Sequence, residues 1–216
     1  MKVGFLGPEG TFSQQASSVY LAKLKRIIEG KIEIVPFTTI YNLLFAIDQG
    51  KVKEGVCPIE NSIEGTVGVV TDTLVKDVNL RIKQEIILPI YHHLIAQKGV
   101  QIKDITDVIS HPQALDQCKE FLRKKMPKAK MHLSYSTADA VKQVAYSLGE
   151  RVISHGKNKG PVFAAIGAIA SAKMYGLKVL ASKINAADNQ TRFVVLAKSD
   201  HKQTRLDKTS IVFSVK

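Results

Sequence analysis

The sequence is poor in almost everything that would mark a specialised protein. It has no tryptophan, two cysteines, and 6% aromatic residues in 216 positions. Cys57 and Cys118 stand far apart and form no metal-ligating or redox spacing, so neither a disulfide scaffold nor a zinc module is encoded. A reduced, cytoplasmic setting is expected. No apolar run approaches the ~20 residues that span a bilayer; the longest, residues 86–96, is broken by Pro89, His92 and His93. The first residues carry one charge and then a strand-like run, too short for the core of a signal peptide. Acidic residues are also scarce. Asp plus Glu number 19 against 31 Lys plus Arg, leaving a formal charge of +12. The excess is scattered, and its densest patches are Arg123-Lys124-Lys125 and Lys157-Asn158-Lys159. No aromatic residues interleave with them as a base-stacking platform requires, and the first patch closes an expected helix against its dipole. Neither a nucleic-acid nor a membrane partner is expected.

What is present is an ordinary globular composition, 45% hydrophobic, long enough for one large domain or two small ones. Lys2–Leu6 reads as a buried strand ended by Gly7-Pro8-Glu9-Gly10. A helix follows, capped by Thr11 or Ser13, with Val19, Leu21, Leu24, Ile27 and Ile28 as its stripe, and Gly30 stops it. A strand over residues 32–36, a helix capped by Thr38 or Thr39 and a strand over residues 54–58 complete a strand–helix alternation, the mark of a parallel sheet. The middle repeats the plan. Residues 81–96 are β-rich with a bend at Pro89, residues 105–109 form a strand, and Pro112 opens a helix reaching Leu122. Residues 130–133 form a strand, Ser136 or Thr137 caps a helix to Leu148, and residues 163–175 read as an Ala-rich helix ended by Gly176. Strands at residues 178–180 and 192–197 follow. Two half-plans without a sequence repeat favour two α/β lobes over one continuous sheet. The expected partition is residues 1–78 plus 180–200 for the first lobe and 79–179 for the second. A linker over 201–207 then leads to an alternating, β-branched stretch, 208–216, read as the first strand of a further domain.

Four segments place a small-residue turn between a strand and a helix: Gly7-Pro8-Glu9-Gly10-Thr11-Phe12-Ser13, Pro58-Ile59-Glu60-Asn61-Ser62-Ile63-Glu64-Gly65-Thr66, Ser110-His111-Pro112-Gln113 and Tyr135-Ser136-Thr137-Ala138. Ligands of open α/β sheets gather at the carboxyl ends of strands, where helix N-termini offer unpaired amides. Hydroxyl and amide side chains there suit a small carboxylate-bearing molecule. A polar turn, Asp188-Asn189-Gln190, enters a strand through Thr191-Arg192-Phe193, and the planar fork of an arginine pairs with carboxylates. The glycines match neither a P-loop nor a dinucleotide fingerprint, and the Gly-x-Ser-x-Gly elbow of hydrolases is absent. His92-His93 in a strand would face opposite ways and so chelates no metal together; core or surface histidines are expected there. No metal or organic cofactor signature is present, and none is expected.

Taken together, these segments resemble the catalytic domain of the prephenate dehydratase family. Gly7-Pro8-Glu9-Gly10-Thr11-Phe12-Ser13 is similar to its N-terminal signature, Pro58-Ile59-Glu60-Asn61-Ser62 with Gly65 and Val67 to a second motif, and Ser110-His111-Pro112-Gln113-Ala114-Leu115 with Gln117-Cys118 to a third. Thr191-Arg192-Phe193 is similar to its best-known catalytic signature, and Lys208-Thr209-Ser210-Ile211-Val212-Phe213 resembles the start of its ACT regulatory domain. The resemblance implies a two-lobed α/β fold like that of type II periplasmic binding proteins, with the active site in the inter-lobe cleft. It implies a lyase that needs no cofactor, a hydro-lyase of phenylalanine biosynthesis that converts prephenate, a small dianion, to phenylpyruvate, CO2 and water. It also implies a homodimer or higher homo-oligomer, with phenylalanine sensitivity residing in the ACT domain.

For that reaction the chemistry of these residues makes Thr191 the expected hydrogen-bond donor to the departing hydroxyl and Arg192 the expected partner of the pyruvyl carboxylate. Glu60 and His111 are the alternative acids. Asn61, Ser62, Gln117 and Thr137 are neutral donors to the carboxylate that leaves, and Thr11, Ser110 and Phe193 complete the substrate-binding set. Two other readings stay open: an arogenate dehydratase, and a non-catalytic two-lobed module that binds a small carboxylic acid.

Overall fold

The computed structural model describes residues 1–25, 30–146, 160–186 and 188–213. Ile27, Ile28, Leu148, the Lys157-Asn158-Lys159 patch and the last three residues of the expected terminal strand lie outside these. Along the first part of the chain run β1 (Lys2–Leu6), α1 (Phe12–Leu24), β2 (Glu33–Phe37), α2 (Ile40–Asp48), β3 (Glu54–Asn61), β4 (Gly65–Thr66), α3 (Gly68–Lys76) and β5 (Arg81–Pro89). There follow β6 (His93–Ala96), a 3₁₀ turn at Ile102–Asp104, β7 (Asp107–Ser110), α4 (Pro112–Gln117), α5 (Lys119–Lys125), β8 (Lys130–Leu133) and α6 (Thr137–Tyr146). The last elements are β9 (Phe163–Gly167), α7 (Ile169–Met174), β10 (Lys178–Ala181) and β11 (Gln190–Ala197).

The chain divides into two compact units, Met1–Leu6 with Ala16–Leu88 and Thr191–Lys216, and Gly7–Gln15 with Pro89–Gln190. The expected α/β class with two lobes is therefore what forms. The first sheet has the order β2-β1-β3-β11-β5, with β4 paired to β3. β1 is parallel to both β2 and β3, and β11 is antiparallel to β3. The second sheet has the order β10-β6-β9-β7-β8. β7 is parallel to β8 and β9, and β6 is antiparallel to β9.

Local chemistry explains why the helices start where they do. Thr39 accepts the Asn42 amide at 3.1 Å, and Ser136 accepts the Asp139 amide at 3.0 Å. Each supplies one of the acceptors that a helix N-terminus lacks. Leu43, Leu44 and Ile47 of α2 and Val70 of α3 pack on Cys57, Val194 and Leu196 of the first sheet. In the second unit Ala140, Val141 and Val144 of α6 pack on Ile95, Ile109 and Ala165.

Three expectations are corrected. Residues 163–175 are not one helix but the fully buried strand β9 followed by the short helix α7. β9 lies between β6 and β7 in its sheet, so its small apolar residues fill a tight layer under α6 rather than a helix face. The helix expected to run through Leu122 breaks at Cys118 into α4 and α5. Residues 208–213 form no strand and are exposed; an alternating stretch without a neighbouring strand has nothing to pair with. Helix α3 lies outside the elements that the sequence pattern predicts.

Candidate active site

The residues singled out from the sequence divide between the units: Glu60, Asn61, Ser62, Thr191, Arg192 and Phe193 in the first, and Thr11, Ser110, His111, Gln117 and Thr137 in the second. In the first unit their placement turns on an irregularity in the β3–β11 pair. Phe193 lies opposite Pro58, but Arg192 lies opposite Glu60 and Thr191 opposite Asn61, so Ile59 is an extra residue in β3. Such a bulge changes which side chains meet. In the unbulged register Thr191 would face Glu60 and Arg192 would face Ile59. With the extra residue, hydroxyl meets amide and guanidinium meets carboxylate.

The Asn61 Nδ2 donates to Thr191 Oγ1 at 2.9 Å. Its Oδ1 accepts the Ile63 and Glu64 amides at 3.0 and 3.2 Å, which fixes the direction of the carboxamide. The turn over residues 62–64 that supplies those amides is closed by Gly65, opposite Asn61, at φ +82°, a conformation that glycine adopts without strain. Ser62 is exposed on that turn. Thr191 is 9% exposed and accepts from Asn61, so its own hydroxyl proton points elsewhere.

Strand alternation sends Arg192 to the opposite face from Thr191 and Phe193. Arg192 Nη2 lies 2.5 Å from Glu60 Oε2, and Nη1 lies 3.5 Å from Glu85 Oε1 on β5. The Arg192 Nε is buried and has no hydrogen-bond partner among the described residues. Glu85 also takes Lys208 Nζ at 2.5 Å. That hydrogen bond, aided by the charges of Lys208 and Arg192 against the opposing effect of burial, holds the Glu85 carboxyl below its usual range. Phe193 is buried in the core and anchors the strand that carries its two neighbours.

In the second unit Ser110, Thr11 and Gln117 hydrogen-bond to backbone or carboxamide partners. Ser110 is fully buried and donates to the Ile166 carbonyl at 2.7 Å. His111 precedes Pro112 at the start of α4, half-buried and without a capping bond. Thr137 opens α6 and is half-buried. Thr11 Oγ1 donates to the Pro8 carbonyl at 2.9 Å and accepts the Gln14 amide at 3.3 Å. Gly10 beside it, at φ +84°, accepts Ser171 Oγ at 2.8 Å, and a Cβ there would meet that same oxygen at 2.7 Å.

Gln117 Oε1 accepts Asn189 Nδ2 at 2.7 Å and lies 3.2 Å from His92 Nε2. An amide oxygen only accepts, so His92 carries its proton on Nε2 and leaves Nδ1 as a bare acceptor. That Nδ1 is buried without a hydrogen-bond partner among the described residues. The Phe12 ring stands edge-on to it at 5.6 Å. Burial pushes the His92 pKa down to about 4, against the opposing Gln117 hydrogen bond. Burial and the nearby Lys183 lower His93 as well.

Sequence reasoning missed Glu85, Asn189 and the engagement of His92. No local motif marks Glu85, which joins Arg192 only through the sheet order. Asn189 lies in the polar turn Asp188-Asn189-Gln190, where nothing in the sequence sets it apart from its neighbours. Among the described residues no group of three or more His, Cys, Asp or Glu is placed to hold a metal ion, and no helix is long and apolar enough to cross a membrane.

The family model of prephenate dehydratase matches residues 3–201. The chain belongs to the prephenate dehydratase family. The bifunctional chorismate mutase/prephenate dehydratase of Aquifex aeolicus is 34% identical over 220 residues, a match covering all of this chain and 54% of the relative. The prephenate dehydratase of Methanocaldococcus jannaschii is 36% identical over 212 residues, covering 97% of this chain and 70% of the relative. The chain thus spans about half the length of bifunctional relatives that it matches. Among solved structures, the prephenate dehydratase of Arthrobacter aurescens in complex with L-Phe superposes with a TM-score of 0.76 at 28% identity, over 95% of this chain and 62% of that one. Every candidate residue of both sets lies inside the family match, as does Glu85; Lys208 lies beyond it.

Proposed function

We propose that this chain catalyses the prephenate dehydratase reaction, and the observation that carries the reading is the Thr191 hydroxyl held by Asn61 across β11 and β3. In this reaction the ring carboxylate leaves as CO2, its bonding electrons enter the ring, and the ring C–O bond breaks as the hydroxyl takes a proton and departs as water. Aromatisation drives the step. The protein's task is to hold a dianion and to help hydroxide leave, and positioned proton donation contributes typically ~10²–10⁴-fold.

A threonine hydroxyl is a weak acid. An amide N–H donated to its oxygen stabilises the negative charge that builds there as it donates in turn. Thr191 therefore hydrogen-bonds the departing hydroxyl, and the proton itself comes from an acid, with Glu60 and His111 the candidates. Arg192 receives the pyruvyl carboxylate by exchange with Glu60, whose side chain is 45% exposed. The carboxylate that leaves is met by neutral donors, because a firm ionic clamp would stabilise the ground state more than the transition state. Asn61, Ser62, Gln117 and Thr137 fit that role by type, Thr11 is a further candidate contact, and the buried Ser110 and Phe193 hold the strands that carry their neighbours.

The test is incubation with prephenate and measurement of phenylpyruvate. Turnover of arogenate in preference to prephenate would change the substrate, and tight binding of prephenate without turnover would make the chain a binding module. On family membership alone we extend the reading to a homo-oligomer acting in the cytoplasm. Sedimentation at micromolar concentration checks the first part, and a monomer there refutes it.

A further inference from the structure

The first unit contains an ion chain that reaches past the family match. Glu60 Oε2 lies 2.5 Å from Arg192 Nη2, Arg192 Nη1 lies 3.5 Å from Glu85 Oε1, and Glu85 Oε2 lies 2.5 Å from Lys208 Nζ. Glu85 is its most enclosed member, its side chain 23% exposed against 77% for Lys208. The turn leading to Lys208 is tied by its own bonds. Thr204 donates from its amide and hydroxyl to Asp207 at 2.7 and 2.5 Å, and His201 bridges Asp200 and Asp207 at 2.9 Å to each.

Two acids and two bases alternate along the chain and sum to zero charge. An arginine that receives a substrate carboxylate needs local positive charge to spare. While Lys208 shares Glu85, that carboxylate is only half turned on Arg192. Without Lys208 its whole charge falls on the guanidinium, and the cluster becomes net negative toward an arriving anion. Resting on the reading that Arg192 takes a substrate carboxylate, we propose that Lys208 is a positioning residue for Arg192: acting through Glu85, it draws carboxylate charge away from the arginine and raises affinity for the anionic substrate. The segment after β11 thereby adjusts substrate affinity without touching substrate.

The experiment is a kinetic cycle on the whole chain. Lys208→Ala raises KM for prephenate about two- to five-fold with kcat unchanged, the size at which exposed ion pairs couple, and Lys208→Arg restores the wild-type KM. In a Glu85→Gln background the Lys208→Ala change produces no rise, because no carboxylate charge is left to fall on Arg192. At high salt the wild type approaches the Lys208→Ala value, because exposed charges are screened. An unchanged KM in Lys208→Ala overturns the proposal, and so does an equal rise in the Glu85→Gln background. A second measurement does not need turnover. NMR titration of the Glu85 carboxyl shows its pKa rising in Lys208→Ala; an unchanged value also overturns the proposal. If the wild type leaves prephenate untouched, the dehydratase reading fails, and this titration still decides the ion chain.

Discussion

At the start of the strand that runs antiparallel to β3, the first unit places Thr191 and Arg192; beside β9, at and just before the corresponding strand, the second places His92 and His93. The sheets that hold them follow one plan. Strands β2-β1-β3 and β8-β7-β9 are parallel triplets in the same order, each flanked by an antiparallel strand, β11 or β6, and then by an edge, β5 or β10. Even the caps correspond: Thr39 and Ser136 start the helices that follow β2 and β8, the outer strands of the two triplets. The same architectural position therefore carries opposite chemistry. In the first unit it holds partly exposed charges balanced by other charges, which a ligand can exchange. In the second it holds two buried imidazoles whose burial disfavours their charge, and His92 is tied to the Gln117 carboxamide as part of a scaffold. Topology supplies the position, and the side chains decide whether it reacts or supports.

The sharpest way to break this comparison is at Thr191. Thr191→Val removes the hydroxyl that Asn61 holds and keeps the β-branched shape, so kcat should fall about 10²- to 10⁴-fold with a modest change in KM. Thr191→Ser should retain most of the activity. A kcat near wild type in Thr191→Val would move the chemistry away from this strand. Next in size is Arg192→Ala. Losing a charge-assisted contact worth ~1.5–3 kcal/mol should raise KM for prephenate about 10- to 100-fold with far less effect on kcat. An unchanged KM would leave Arg192 as a cross-strand tie between Glu60 and Glu85 and nothing more.

How much of this was legible beforehand follows the same division. The alternation of strand and helix read correctly through β1, α2 and β3, because apolar runs, turn glycines and capping hydroxyls all agreed. It failed at β9. Phe163-Ala164-Ala165-Ile166-Gly167 is buried throughout, so it shows no two-residue alternation, and alanine's helix propensity filled the gap. A central strand under α6 needs small residues, and that need is tertiary. The candidate residues were legible by type, since hydroxyls and carboxamides at strand ends are visible in sequence. Their partners were not. The extra residue at Ile59 that brings Asn61 to Thr191 leaves no local signature, and Glu85 reaches Arg192 only because β5 sits beside β11.

The neutral scaffold of the second unit can be tested by its pH dependence. His92 has a folded-state pKa of about 4, below the ~6.5 of a free imidazole. Between those values the unfolded chain binds a proton that the folded chain refuses, so stability falls as pH drops from about 6.5 to 4 and levels off below. The slope in that window has an upper limit of about 1.4 kcal/mol per pH unit from this one group. Urea unfolding at pH 4.5, 5.5 and 6.5 should show a flatter dependence in His92→Gln, with a remainder from His93. Parallel wild-type and His92→Gln curves would mean that His92 titrates normally in the fold, and the contrast between the units would weaken.

The smallest expected effect draws the line between the units most finely, because it compares one hydroxyl with another. Thr191 and Ser110 both stand at the end of a sheet where ligands of α/β folds gather, and sequence alone treats them alike. Thr191 accepts a hydrogen bond and keeps its proton to donate, whereas Ser110 gives its proton to the Ile166 carbonyl inside its own sheet. Ser110→Ala should therefore cost about 1 kcal/mol of stability, read by urea unfolding, while KM and kcat for prephenate stay within about twofold. A stable variant with a raised KM would show that the Ser110 hydroxyl leaves Ile166 to meet substrate. β7 would then add a substrate contact to those proposed for Gln117 and Thr137, and the contrast drawn from His92 would hold only for the strand beside β9.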